Sequence, residues 1–421
     1  MLIQFTVSNF LSFKDEQTFS MVAASGKNDN ELMDNTFKST VDERITLLRS
    51  AAMYGANASG KSNFIKALSF YFAFILRSTE SLDGGLLSDQ KTFLLDKETT
   101  VANSKFEAIL ELKGAIYRYG YILHEQLVVR EWLFCTEQGK QRRRERQLFE
   151  RDVQANLVKG AGFAKYAQIT AKNSLLLTVA AQAQYELVQN LVGYIKNLVT
   201  VDSHTGLLLD LTIKYLYSRQ ERVKDYDDVL ELLKAADLNI EGFRIIKQES
   251  AGSLHVMVKH KCLDKESNFN FVEFDLLQHE SLGTIKIFAL SLMLIARLRE
   301  GGIMIVDELE HNLHPLLVKK IIELFNNPQT NPYCAQLIFT THYEGILNRE
   351  IFRRDQIWFA DKSSSGATSI YSLVQFKNPN NAERKDASYD KRYLEGRYGA
   401  IPVFSDYKLR KSVFGDSDAD R

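Results

Sequence analysis

Eight consecutive residues, Gly55-Ala56-Asn57-Ala58-Ser59-Gly60-Lys61-Ser62, fit the pattern G-x-x-x-x-G-K-[S/T] without mismatch. Small side chains let successive backbone N–H groups turn inward around phosphate oxygens. Lys61 can reach the β- and γ-phosphates of a nucleotide, and the Ser62 hydroxyl is suited to Mg²⁺. A helix beginning near Lys61 would present its positive end to the same anion. The bland alternative is a chance glycine-rich turn. The context disfavours it, because a short apolar run ends at Met53 and Tyr54 and an apolar-periodic segment follows the loop.

Such a cradle needs a second carboxylate to organise Mg²⁺ and water. Ile303, Met304, Ile305 and Val306 form an unalternating apolar run, as in a strand covered on both faces. Asp307 and Glu308 follow it directly. Asp307 suits the metal shell. Glu308 lies one residue on, hence on the other side of the strand, and can face the γ-phosphate as a general base for water.

Two further segments carry candidate chemistry. Ser281-Leu282-Gly283-Thr284 precedes an apolar helix, and His342 closes the run Ile338-Phe339-Thr340-Thr341. Taken singly, Ser281 reads as a helix cap and His342 as a core histidine. His311 and His314 lie close to the acids, but those carboxylates are committed to Mg²⁺ and no thiolate is near, so a transition-metal site is disfavoured.

Together these segments resemble the ABC and SMC superfamily of ATPases, and their order along the chain carries the resemblance: phosphate loop, Ser281 turn, paired acids, His342. It implies ATP and Mg²⁺ as ligands, Glu308 as the catalytic base and His342 as the switch histidine that senses γ-phosphate. Ser281 and Gly283 would be the signature that binds the γ-phosphate held by a second subunit. Glu310 to Pro315 would be the loop that crosses the dimer interface. No glutamine stands out as the Q-loop residue.

The segments NFLSF, GANASGKSN, ELEHNLHP and YDKRYLEGRYGAIP are similar to the stand-alone ATPases of the OLD and RloA-like group, which accompany bacterial anti-phage effectors. The stretch after His342 is too short for a fused TOPRIM nuclease, and the strand-rich span from Ser62 to Ser281 does not read as SMC arms. The resemblance implies a homodimer or higher homo-oligomer joined through ATP-bound heads. It also implies a separate effector, a nuclease or toxin encoded by an adjacent gene. The alternative is a RecF-like DNA-repair ATPase; nucleic acid is compatible with the sequence but not required by it.

These residues need rigid elements to hold them. Ile3, Phe5 and Val7 alternate with polar residues, as in a half-buried strand. Strand signals return in SKFEAILELKGAIYRYGYIL, REWLFC and RQLFERD. Helical periodicity takes over from about Leu175, then strands reappear in FRIIKQES and SLHVMVKHKCL. The expected fold is α/β: a P-loop head of the ABC/SMC type with a mixed or parallel core sheet, an antiparallel β subdomain and a helical insertion. The expected organisation is 1–135 for the first half of the head and 136–240 for a β/helical insertion. The second half follows at 241–375, and 376–421 is a polar tail.

Composition sets the outer limits. Apolar residues make up 45% of the 421 and charged residues 25%, which excludes a disordered or collagen-like chain. Lys plus Arg and Asp plus Glu are 53 each. That balance weighs against a dedicated DNA clamp, although the run from Gln141 to Arg146 is locally basic. Cys135, Cys262 and Cys334 form no CxxC pair, as expected of a reducing compartment. No signal peptide or membrane span is apparent, and a cytoplasmic location is expected. Trp132 and Trp358 read as core or surface anchors rather than base-stacking platforms.

Overall fold

The computed structural model describes all residues except 25–31, 81–86, 88–89, 138–144, 161, 203–204, 220–222, 237–238, 249–251, 264–268, 377–387 and 402–421. A six-stranded sheet organises the molecule. Its strands are β1 (Ser50–Tyr54), β2 (Val199–Asp202), β3 (Ile303–Val306), β4 (Gln336–Thr340), β5 (Ile357–Lys362) and β6 (Thr368–Ser372), in the spatial order β2-β3-β4-β1-β5-β6. All neighbours are parallel except β5 and β6.

Helices or a second sheet cover both faces, which is why β1, β3 and β4 are apolar without alternation. On one face, Met53, Ile303, Ile305 and Ile338 pack with helix α1 (Lys61–Arg77). The far side of α1 meets a seven-stranded antiparallel sheet through Phe5, Phe106, Tyr119 and Tyr121. Being sandwiched this way explains the aromatic-rich sequence of α1, in which Phe64, Phe70, Tyr71, Phe72 and Phe74 are all buried. On the other face, Ala52, Met304, Val306 and Phe339 pack with α2 (Leu282–Glu300) and α3 (Pro315–Asn326). The helices Thr205–Ser218 and Val223–Ala236 and a three-stranded antiparallel sheet complete that layer. The mixed core sheet, antiparallel sheets and added helices are the α/β head architecture expected.

The expected boundaries fall differently on the elements. The line at 135/136 cuts the strand Leu127–Glu137, and that at 240/241 cuts Ile240–Lys247. The seven-stranded sheet runs from Leu2–Ser8 to Leu157–Lys159, joining the first half to the start of the expected insertion. Residues 199–202, also inside that insertion, form β2 of the core sheet instead.

The end of the chain also departs from a purely polar tail. Tyr393, Tyr398 and Ala400 are buried, and the rings of Tyr393 and Tyr398 both pack on Phe359, with centroids 5.5 Å away. Trp132 and Trp358 are both buried. Most of the basic run lies outside the described residues. Its last two members are in ion pairs, Glu145 with Arg118 and Arg146 with Glu137. Among the described residues no helix is long and apolar enough to cross a membrane.

Candidate active site

The loops leaving β1, β3 and β4 emerge side by side at the carboxyl edge of the sheet, where open parallel sheets bind ligands. They carry residues 55–60, Asp307 with Glu308, and Thr341 with His342 respectively. Strand β4 lies between the strand of the glycine-rich loop and the strand of the acids.

Glycine is required at both ends of the first loop. A Cβ on Gly55 would lie 2.5 Å from the Ala360 carbonyl oxygen. Gly60, at φ 112°, would press a Cβ into Thr368. The loop is pinned from outside by Thr368, whose hydroxyl donates to the Ser59 carbonyl (2.8 Å) and lies 2.8 Å from the Ser12 hydroxyl. Inside it, Lys61 Nζ donates to the carbonyls of Gly55 (2.7 Å) and Ala56 (3.0 Å). Burial lowers the Lys61 pKa to about 8, against the pull of Asp307, Glu308 and Glu310.

Asp307 and Glu308 share one hydroxyl. Thr340 Oγ1 donates to Asp307 Oδ1 at 2.5 Å and accepts the Glu308 backbone N–H at 2.7 Å. Glu308 adopts φ 49°, a left-handed conformation that costs a non-glycine residue about 1–3 kcal/mol unless its surroundings enforce it. Its carboxylate lies 3.8 Å from His342 Nε2 and 3.8 Å from His311 Nδ1.

His342 links the acids to Lys61, with Nδ1 3.4 Å from Lys61 Nζ. Burial first, and the Lys61 charge second, hold its pKa below the ordinary 6.5, so it is neutral at pH 7. If Lys61 donates to Nδ1, the neutral ring carries its proton on Nε2, toward Glu308. The His342 backbone N–H is held by Glu310 Oε1 at 2.5 Å.

The Ser281 turn stands beside the acid segment. Ser281 caps α2, its Oγ accepting the Thr284 N–H at 3.1 Å. A Cβ on Gly283 would approach the Asn312 carbonyl to 2.8 Å, and Leu282 is exposed between them. His314 caps α3 through Nδ1, which accepts the Leu316 N–H at 3.2 Å.

A magnesium-bound nucleoside triphosphate suits this arrangement. Ser59 Oγ is buried with no hydrogen-bond partner among the described residues, and the desolvated Lys61 ammonium has two backbone carbonyls and His342 as its hydrogen-bond contacts among those residues. Anionic oxygen supplies what both lack. Thr340 and Thr368 carried no role in the sequence expectations, and Glu310 entered them only within the interface loop. Only Thr340 and Glu310 left a signal, a hydroxyl closing a buried strand and a third acid after the pair.

Residues 50–348 match a family described as "AAA domain, putative AbiEii toxin, Type IV TA system". The matched span includes residues 55–62, Ser281, Gly283, Asp307, Glu308 and His342, but not Thr368. No curated protein matches the sequence. Among solved structures, the SMC head domain from Thermotoga maritima is similar at 12% identity and TM-score 0.43, over 88% of this chain and 98% of that one. An SMC head bound to the C-winged helix domain of ScpA gives the same identity and score, over 88% and 97%.

Proposed function

The chain belongs to this AAA-domain family of P-loop ATPases, and from that premise we propose that it is an ATP-driven switch. Two copies close around ATP, hydrolysis reopens them, and the change of state controls a separate effector, a nuclease or toxin in anti-phage defence of the OLD and RloA-like kind. One observation carries the catalytic part. Lys61, the acid pair and His342 converge from three neighbouring strands, with a continuous path from Lys61 through His342 to Glu308. The family description, "putative AbiEii toxin, Type IV TA system", supports a place in a toxin–antitoxin setting.

In this reading the 55–60 backbone and the N-terminus of α1 hold the phosphates. Lys61 exchanges its carbonyl partners for phosphate oxygen. Ser62 and Asp307 would hold Mg²⁺, which when bound neutralises charge on the phosphate oxygens. Glu308 accepts the proton of the attacking water, and neutral His342 orients that carboxylate and reads the γ-phosphate. Ser281 and Gly283 complete the site of the opposite subunit.

Glu308→Gln tests this directly. The amide keeps its size but accepts no proton, and loss of a general base typically slows turnover about 10²–10⁴-fold. The variant is expected to keep ATP and to run as a dimer by light scattering with ATP present. Wild-type turnover by the variant would remove Glu308 as base, and a monomer under those conditions would remove the closing switch. Co-purification with the product of an adjacent gene tests the effector.

A further inference from the structure

We propose that Lys286 is a positioning residue that holds Glu308 in its left-handed conformation and ties it to the Ser281–Gly283 turn. Lys286 lies in the second turn of α2, is 3% exposed, and donates Nζ to the carbonyls of Glu308 (3.0 Å) and Leu309 (3.2 Å). The Glu308 residue is thus gripped at both ends. Thr340, from the strand that leads to His342, takes its N–H, and Lys286, from the helix that Ser281 caps, takes its C=O. A left-handed glutamate persists only where its surroundings over-determine it, and these two bonds do so.

The consequence is mechanical. Gly283 abuts the Asn312 carbonyl, so the first turn of α2 touches the acid segment at a second point, four residues beyond Glu308. A shift of α2 on its axis therefore moves both contacts together. Any partner that engages the Ser281 turn reaches the carboxylate of the same chain through Lys286. This rests on Glu308 being the base, as proposed above, and adds a route within one subunit from the turn to that base.

Lys286→Met keeps the aliphatic stem and removes the ammonium. The expected outcome is ATP affinity within about twofold of wild type and kcat lowered at least tenfold, with KM little changed. In the crystal structure of the variant, φ of Glu308 is expected to leave the left-handed region or its bond to Thr340 to break. Lys286→Arg, which can still donate to the two carbonyls, should recover part of kcat. Combined with Glu308→Gln, Lys286→Met should lower residual turnover no further, because its effect passes through that carboxylate. A wild-type protein that does not hydrolyse ATP overturns the function and leaves the crystallographic arm to judge Lys286. An active wild type whose Lys286→Met variant keeps full kcat, or an unmoved Glu308 in that variant, overturns the positioning role.

Discussion

Lys61 keeps its charge in a desolvated place, and its proton is the most accessible probe of the site. Its pKa of about 8 belongs to the nucleotide-free loop; a polyphosphate beside it favours the charged form and raises the value. Well below pH 8 the side chain is already protonated and binding takes up almost no proton there. Between about 8 and the bound value, binding must draw a proton from solution, so affinity falls as pH rises through that window. Calorimetry at pH 8.5 in buffers of different ionisation enthalpy should show uptake of most of one proton. Lys61→Ala should abolish that uptake and weaken binding, and uptake that survives the substitution would assign the proton elsewhere. The phosphate loop and the acids were legible because their chemistry is local in sequence: contiguous residues, one behind a strand and one before a helix. Thr340 and Lys286 were not, since what they do depends on which strand lies beside β3 and which helix turn lies over it.

Elements explain both the legible and the illegible parts of the frame. Long strands such as Ser104–Leu112 and Ala115–His124 announce themselves by alternation around a Lys113-Gly114 turn, where both residues take positive φ. The four residues Val199–Asp202 are too short to signal anything, and they become β2 only because β3 offers a parallel edge. The strand Phe269–Asp275 alternates weakly, since Phe271, Val272 and Phe274 remain exposed on the sheet's edge. Packing between elements also makes single positions intolerant. Gly120 lies under the Trp132 ring and near the Phe106 carbonyl, so a Cβ there would stand 2.6 Å from an indole carbon and 2.9 Å from that oxygen. Neither can yield easily, because Trp132 Nε1 donates to Glu107 at 2.7 Å and the carbonyl belongs to a central strand. Gly120→Ala should therefore cost about 1–3 kcal/mol, as overpacked cores do. Urea unfolding followed by tryptophan fluorescence reads both the stability and the indole environment, and a wild-type midpoint would mean that the sheet opens here without strain.

At the scale of the whole molecule, the question is why one chain carries two features suited to a γ-phosphate. Lys61 and the 55–60 loop already provide one site. The Ser281 turn provides a second helix N-terminus on α2, capped by its own serine and flanked by exposed Leu282. In the proposed closed dimer, a second subunit would give that turn a ligand. Ser281→Arg should then leave ATP binding to a single copy nearly intact, while the bulky cation blocks closure and hydrolysis together. Mixing this variant with Lys61→Ala sharpens the test. In a mixed dimer one composite site carries both defects and the other carries neither, so hydrolysis should return in the mixture to a fraction set by the share of mixed dimers. Subunit exchange is verified separately with two tags. If mixed dimers form and activity does not return, the two sites must fire together. If Ser281→Arg alone hydrolyses ATP at the wild-type rate, the turn serves no site across the interface, and the exposed leucine beside it needs another partner.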